Sequence, residues 1–239
     1  MSLKGVIFDV DGTLVNTERD GHLVAFNLAF KDKCLDWEWD DKLYQYLLQI
    51  TGGKERIKFY INEFHKNFQK DNLDEFIVEL HKLKTDYFVQ LVADGKAPLR
   101  TGVKRLIDEI DKSDLQMAIA TTTTMANIEA LIIHKLGEEY LDKFSIIAAG
   151  DVVANKKPAP DIYNYALEHM KLKPEECIAI EDSENGLKSS LDAKIPTLIT
   201  INDYTKDQDF TGAKIVLDSL GDENSDIKVD VNFLENLLN

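Results

Sequence analysis

Asp9-Val10-Asp11-Gly12-Thr13 sets two carboxylates directly after the apolar run Gly5-Val6-Ile7-Phe8. Such a run reads as a buried parallel strand, and carboxylates at its end are delivered to the sheet's carboxyl edge, where open α/β folds bind ligands. Alternate strand residues share a face, and a turn beginning at Gly12 swings the second carboxylate round towards the first. One of the two can then serve as nucleophile or metal ligand and the other as general acid/base. In a chain with 43 acidic residues Asp-x-Asp also arises by accident, so the surrounding pattern has to decide.

Three further polar clusters accompany predicted core elements. Thr121-Thr122-Thr123-Thr124 follows the strand Met117-Ala118-Ile119-Ala120. Hydroxyls and free backbone N–H groups at such a turn can donate to phosphoryl oxygens, although the tract suits a helix N-cap equally well. Lys156-Lys157-Pro158-Ala159-Pro160-Asp161 precedes a helix, with proline placed for a first turn. A lysine there can neutralise a nucleophile and a transferring phosphoryl group. Glu181-Asp182-Ser183-Glu184-Asn185-Gly186 follows the strand Cys177-Ile178-Ala179-Ile180. Adjacent acids in that place suit Mg²⁺, which takes hard oxygen ligands, and also suit an acidic first helical turn.

The elements that position these clusters alternate. From Pro98 onwards, helices carrying Val103, Leu106, Ile107 and Ile110, then Ile128, Leu131, Ile132 and Leu136, then Ile162, Ala166 and Met170, are interleaved with strands. The further strands are Ser145–Ala148 and Thr197–Ile201, with Ile215-Val216-Leu217 as an edge strand and a closing helix through Val231, Leu234 and Leu238. This alternation predicts a doubly wound parallel sheet with right-handed crossovers, a Rossmann-like α/β fold. Between the first motif and about Leu115 there is no strand-like run. Apolar residues there recur at helical spacing: Leu43, Leu47, Ile50; Ile57, Ile61, Phe64, Phe68; Phe76, Leu80, Leu83, Tyr87. The expected organisation is a core of residues 1–17 and 96–239, with an α-helical cap domain, 18–95, inserted into it.

Bulk properties narrow the function classes. The 239 residues are 44% hydrophobic and 30% charged, as in a globular protein. A formal net charge of -15 opposes nucleic acid and anionic membrane surfaces as partners. It does not oppose a phosphate site, because a divalent cation and a few lysines can reverse the potential locally. Cys34 and Cys177 have no metal-binding spacing and read as buried thiols in a reducing cytoplasm. The first apolar run is too short for a signal peptide or a membrane span, so a cytoplasmic monomer is expected.

In this order, with a helical insert after the first, the four clusters resemble the four motifs of the haloacid dehalogenase superfamily over nearly the whole chain. The resemblance implies a phosphatase in which Asp9 is the nucleophile and Asp11 the general acid/base. Thr121 and Lys157, rather than Lys156, would bind the phosphoryl group. Mg²⁺ would be held by Asp9, the Asp11 backbone carbonyl, Glu181 and Asp182. Dehalogenases of the superfamily lack the second carboxylate, since a departing halide needs no proton.

Two further strings, Asn16-Thr17-Glu18-Arg19-Asp20-Gly21-His22 and Thr51-Gly52-Gly53-Lys54-Glu55-Arg56, are similar to the CbbY-like branch associated with the Calvin cycle, which dephosphorylates xylulose-1,5-bisphosphate. That similarity implies a small phosphorylated sugar as substrate. Glu18 and His22 would contact sugar hydroxyls, Gly53, Lys54 and Arg56 a distal phosphate, and Thr122 the substrate beside Thr121. The other histidines, His65, His81, His134 and His169, are expected at the surface or in packing. A β-phosphoglucomutase-like mutase shares the motifs, and a non-catalytic sugar-phosphate sensor on the same fold is the remaining alternative.

Overall fold

Val6, Ile7 and Phe8 are inaccessible to solvent from either side, because their strand lies in the middle of a sheet covered on both faces. The structure is a computed structural model that describes residues 2–238. Six strands, β1 Gly5–Phe8, β2 Gln116–Ala120, β3 Ile146–Ala148, β4 Cys177–Glu181, β5 Thr197–Thr200 and β6 Ile215–Leu217, form one parallel sheet in the order β3-β2-β1-β4-β5-β6. Phe8 pairs with Ile119 on one side and Ile180 on the other, so the residues that follow β1, β2 and β4 emerge together at the carboxyl edge. The strand order reverses direction at β1, the crevice where this class of sheet binds its ligands.

Period-two alternation sorts the core. Val6, Phe8, Met117, Ile119, Ile178 and Ile180 pack against α5 (Val103–Ile110), α6 (Met125–Lys135) and α9 (Val231–Leu238). Ile7, Ala118, Ala120 and Ala179 face α7 (Asp161–Met170), and α8 (Glu184–Asp192) lies beside β4 and β5. The expected strands are present with shifted ends: Ser145 and Ile201 lie outside β3 and β5, and β4 extends through Glu181.

The helical insert comprises a π-helical turn, Glu18–Leu23, then α1 (Val24–Asp32), α2 (Asp41–Leu47), α3 (Gly53–Phe64) and α4 (Leu73–Ala93). Asp40 caps α2 by accepting a hydrogen bond from the Leu43 N–H at 2.7 Å. Ile50 and Phe68 continue the apolar pattern but lie beyond the ends of α2 and α3. A separate aromatic core holds these helices together: Phe26, Phe30, Trp37, Trp39, Tyr44 and Tyr60 pack mostly tilted or edge-on, with Trp39 to Phe26 at 4.5 Å between ring centroids and Phe30 stacked on Tyr60. The 21-residue α4 serves both cores. Phe76, Ile77 and Leu80 belong to the aromatic cluster, whereas Phe88 and Val92 pack with the sheet-side residues.

Cys177 is buried, as expected, but Cys34 is exposed. It follows α1 with a φ of 54°, in a turn that leaves its side chain at the surface while the next residue, Leu35, packs on the aromatic cluster. No helix of the described residues is long and apolar enough to cross a membrane.

Trp39 is 1% exposed at the centre of the aromatic cluster. Trp39→Ala should cost roughly 3–5 kcal/mol, a shift on the order of 10 °C in a thermal melt for a chain of this size. A Tm within about 3 °C of wild type would mean that this cluster is not what holds the insert together.

Candidate active site

Pairing at the carboxyl edge continues one step past the strands, with Asp9 N donating to Ile180 O at 3.0 Å and Thr121 N to Ala148 O at 3.0 Å. Asp9, Thr121 and Asp182 are thereby brought side by side from three strands. Lys157, in the loop before α7, reaches in beneath them. Its ammonium donates to Asp9 Oδ1 at 2.8 Å and to Glu181 Oε1 at 2.5 Å, and it is only 5% exposed. Tyr163 OH donates to the same Glu181 oxygen at 2.7 Å, while the other accepts from Asp182 N at 3.2 Å. The Glu181 carboxylate lies against Gly186, where any Cβ would collide with it, so the glycine that opens α8 makes room for the buried acid.

The charges in this floor do not balance. Burial pushes Asp9 up to about 7, against the lowering pull of Lys157 and with Glu181's negative charge adding to the rise. Burial and the neighbouring charges of Asp9 and Glu181 hold Asp182 well above the usual carboxylate range, although Asn202 Nδ2 donates to its Oδ2 at 2.7 Å. Lys157 is driven the other way: burial disfavours its charge, but Asp9 and Glu181 outweigh burial and keep it protonated. Asp9, Glu181 and Asp182 offer oxygens that all lie within 4.8 Å of one another. When all three are ionised, three carboxylates face one ammonium, and a divalent cation would supply the two missing positive charges. The donor set, hard oxygens only, suits Mg²⁺.

Asp11 sits apart, in a different field. Gly12 adopts a φ of +84°, and Asp182 approaches it too closely for any side chain. The turn there carries Asp11 to His22, whose Nε2 is 2.8 Å from Asp11 Oδ1. Burial works against the Asp11 anion, but the charge and hydrogen bond of His22 prevail and its carboxyl falls to about 2. An ionised Asp11 takes a hydrogen bond from the N–H of His22 Nε2, and Lys84 Nζ lies 2.7 Å from the other ring nitrogen, Nδ1. Burial lowers Lys84 to about 7 despite the opposing charge of Asp11.

These groups line one cavity of about 410 Å³ between the sheet edge and the inserted helices. Every site residue expected from sequence lines it except Glu181, which lies under Lys157. Their partners refine the expectation. Glu18 accepts from Tyr44 OH at 2.5 Å, and Arg56 is buried, donating to Tyr44 OH at 3.2 Å and to Ile50 O at 3.3 Å. Lys54 Nζ is 2.5 Å from Asp151 Oδ2, and Gly53 forms the first turn of α3 beside it. Thr121 is buried and Thr122 half-buried, while Thr124, not Thr121, caps α6.

Sequence reasoning missed Lys84, Tyr44, Asn202 and Arg100. Lys84 had a signal: Leu80, Lys84 and Phe88 are spaced for one helix face, with a lysine where an apolar residue belongs. Arg100 had none, yet its guanidinium donates to the carbonyls of Gly12, Thr200, Ile201 and Asp218. His81, expected at the surface or in packing, packs over Gly53 and also lines the cavity. Burial, reinforced by Lys84 and Lys54, takes it down to about 3, so it is uncharged at neutral pH.

The sequence matches the family described as haloacid dehalogenase-like hydrolase over residues 3–193. The chain belongs to the haloacid dehalogenase-like hydrolases. Among its relatives in this family, the protein CbbY of Rhodobacter capsulatus is 46% identical over 89% of this chain and 92% of its own length. The plasmid-borne CbbY of Cupriavidus necator is 43% identical over 92% and 87%. An aspartate-to-asparagine variant of CbbY from Rhodobacter sphaeroides, solved in complex with xylulose-(1,5)bisphosphate, superposes with a TM-score of 0.85 at 39% identity, covering 96% of this chain and 100% of that one. With these relatives the chain is a CbbY-like phosphoric monoester hydrolase of the haloacid dehalogenase-like family.

Lys157 is the charge this haloacid dehalogenase-like floor can least spare. Lys157→Ala leaves Asp9 and Glu181 buried without it, at a cost of about 3–5 kcal/mol near neutral pH in chelator. The deficit should shrink as pH falls. Asp9 titrates near 7 in the folded wild type against 3.8 for the free side chain, and higher still without Lys157, so on acidification the folded variant takes up a proton that the unfolded chain does not. Denaturant unfolding at pH 7.5 and pH 5 checks the sign; a deficit that grows towards pH 5 would contradict it.

Proposed function

We propose that this chain is a Mg²⁺-dependent sugar-bisphosphate phosphatase, with xylulose-1,5-bisphosphate as the favoured substrate, acting through an aspartyl-phosphate on Asp9. One observation carries the proposal. The cavity has an acidic floor with a buried lysine at Asp9 and, opposite it, a wall from the inserted helices that bears Lys54, Arg56 and Lys84. A substrate with two anionic ends fits such a space, one end at the floor and the other at the wall. The relative bound to xylulose-(1,5)bisphosphate supports the same substrate class.

In this reading residues 1–17 and 96–239 are the catalytic core and 18–95 the cap. Asp9 attacks phosphorus as the bond to the sugar oxygen breaks, and Asp11 hands that oxygen a proton. In the second half Asp11 takes a proton from water, the water oxygen attacks phosphorus, the bond to Asp9 breaks and phosphate leaves. Asp11 can draw that proton from His22 Nε2, 2.8 Å away, as Lys84 Nζ, 2.7 Å from His22 Nδ1, gives its own to the ring. Thr121 and Lys157 steady the phosphoryl oxygens, with Lys157 already at the nucleophile. Mg²⁺, held by Asp9, the Asp11 carbonyl, Asp182 and Glu181, would supply positive charge to a dianion that otherwise repels a carboxylate. Glu18 and His22 would contact the sugar.

Screening phosphate release over sugar mono- and bisphosphates tests the proposal. Wild type should liberate inorganic phosphate from xylulose-1,5-bisphosphate and prefer it to monophosphates; a rearranged sugar phosphate with no free phosphate would instead identify a mutase. Asp9→Asn should lower kcat by about a thousandfold or more, and activity within tenfold of wild type would remove Asp9 from the nucleophile's role. Chelator should abolish turnover and Mg²⁺ restore it, with Asp182→Ala weakening Mg²⁺ binding in calorimetry. Full activity in chelator would refute metal dependence. Lys54→Ala should reduce kcat/KM for the bisphosphate by roughly tenfold to a few hundredfold, and by less for p-nitrophenyl phosphate, which has no second anion to hold.

A further inference from the structure

Lys156 adjoins the lysine of the active-site floor but makes a different set of bonds. Its ammonium donates to Asp151 Oδ1 at 2.7 Å and to the Gly150 carbonyl, and its side chain is 13% exposed. The other oxygen of the same carboxylate, Asp151 Oδ2, accepts from Lys54 at 2.5 Å. Asp151 therefore stands between two lysines from opposite walls, Lys156 from the loop ahead of α7 and Lys54 from the first turn of α3. Hydrogen bonds from Lys156 and Lys54 hold its carboxyl down at about 2, so it is an anion throughout the neutral range. All three residues line the cavity that contains Asp9.

Two ammonium groups converging at the mouth of a cavity make a receiver for an anion, and here the anion is the protein's own. We propose that Lys54 and Lys156 together clamp the second phosphate of the substrate, and that Asp151 is the internal anion that balances the clamp until that phosphate arrives. The inference rests on the sugar-bisphosphate reading above. Asp151's side chain is 65% exposed, and ion pairs so open to water are weak and exchange readily. A phosphate dianion carries more charge than a carboxylate and presents three acceptor oxygens, enough to serve both lysines at once. Weaker anions do not displace Asp151. A substrate without a second phosphate leaves the pair engaged and gains nothing from it. Asp151 thus sets selectivity by keeping the clamp closed to ligands that cannot compete, and Lys156 extends the distal site from the inserted helices onto the core.

The measurement is the ratio of kcat/KM for xylulose-1,5-bisphosphate to that for p-nitrophenyl phosphate. Lys156→Ala should lower the ratio by about tenfold or more, as for loss of a charge-assisted contact, and Lys156→Arg, which keeps the charge, should restore most of it. Asp151→Asn removes the competitor and should lower KM for the bisphosphate by about two- to fivefold, the scale of an exposed ion pair. An unchanged ratio in Lys156→Ala, equal losses on both substrates, or a raised bisphosphate KM in Asp151→Asn would each overturn the clamp. A wild type with no preference for the bisphosphate overturns the sugar-bisphosphate reading and the clamp with it. A preference that depends on Lys54 but not on Lys156 overturns the clamp alone.

Discussion

Lys157 places one positive charge, nearly sealed from water, between Asp9 and Glu181, and the carboxyl edge of the sheet is built to keep it there. Taking three ions out of water is expensive, and a buried ion pair seldom repays the cost in stability. The surroundings reflect that expense. Tyr163 adds a donor to Glu181, Asp182 N satisfies its second oxygen, and Gly186 yields the volume a side chain would fill. Glu181 is thus hydrogen-bonded through both oxygens while the floor as a whole, when ionised, is two positive charges short, which makes it a poor place for an isolated carboxylate and a good one for a divalent cation with a phosphate above it.

Keeping the second carboxylate out of that imbalance is the task of the turn at Gly12. Asp9 and Asp11 are two residues apart, yet burial raises the first while His22 lowers the second. Two carboxylates in one cavity are separated in protonation by the groups each one meets, the condition for giving them different chemical tasks. His22 comes from the π-helical turn and Lys84 from α4, so the field at Asp11 is set by inserted helices and not by the sheet. The aromatic cluster behind them matters for the same reason. Phe88 stacks on His22 with 4.1 Å between ring centroids, and Phe26 and Phe88 both lie under the Lys84 ammonium, fixing donors that would otherwise be mobile.

What could be read from sequence was whatever is written locally. The alternation of apolar strands and helices gives the sheet and places the polar clusters at strand ends or ahead of helices, and the resemblance of those clusters to the family's motifs is what picks out Thr121, Lys157, Glu181 and Asp182 within them. The insert's helicity was equally plain, but its ends were not: Ile50 and Phe68 keep the apolar rhythm after the helices have stopped, and Phe68 packs against the cluster from the turn beyond α3. The residues that escaped act across long stretches of chain. Lys84 meets His22 over 62 positions and Arg100 meets Gly12 over 88, and no local pattern encodes such a meeting. Cys34 shows the converse: a residue type that usually seeks the interior is placed outside by a turn.

Arg100 shows how the inserted helices and the sheet edge stay in register. The chain leaves the core near Asn16 and returns near Pro98, and the two crossings are tied together: Asn16 N donates to Pro98 O at 3.0 Å, Val15 bridges Leu99, and Arg100 N donates to Leu14 O at 2.9 Å. Arg100 then spends its guanidinium on carbonyls of the segments after β1, β5 and β6, although it is 8% exposed and no carboxylate of the described residues lies within ion-pair distance of it. Backbone carbonyls at a sheet's end need donors once water is excluded, and one planar fork supplies several of them at once. Asn202 belongs to the same stapled edge and passes the constraint to Asp182, its Oδ1 held by Tyr204 N at 2.9 Å so that its amide N–H groups point to the acid. The position of Asp182 thus depends on an arginine at the junction through which the insert is attached.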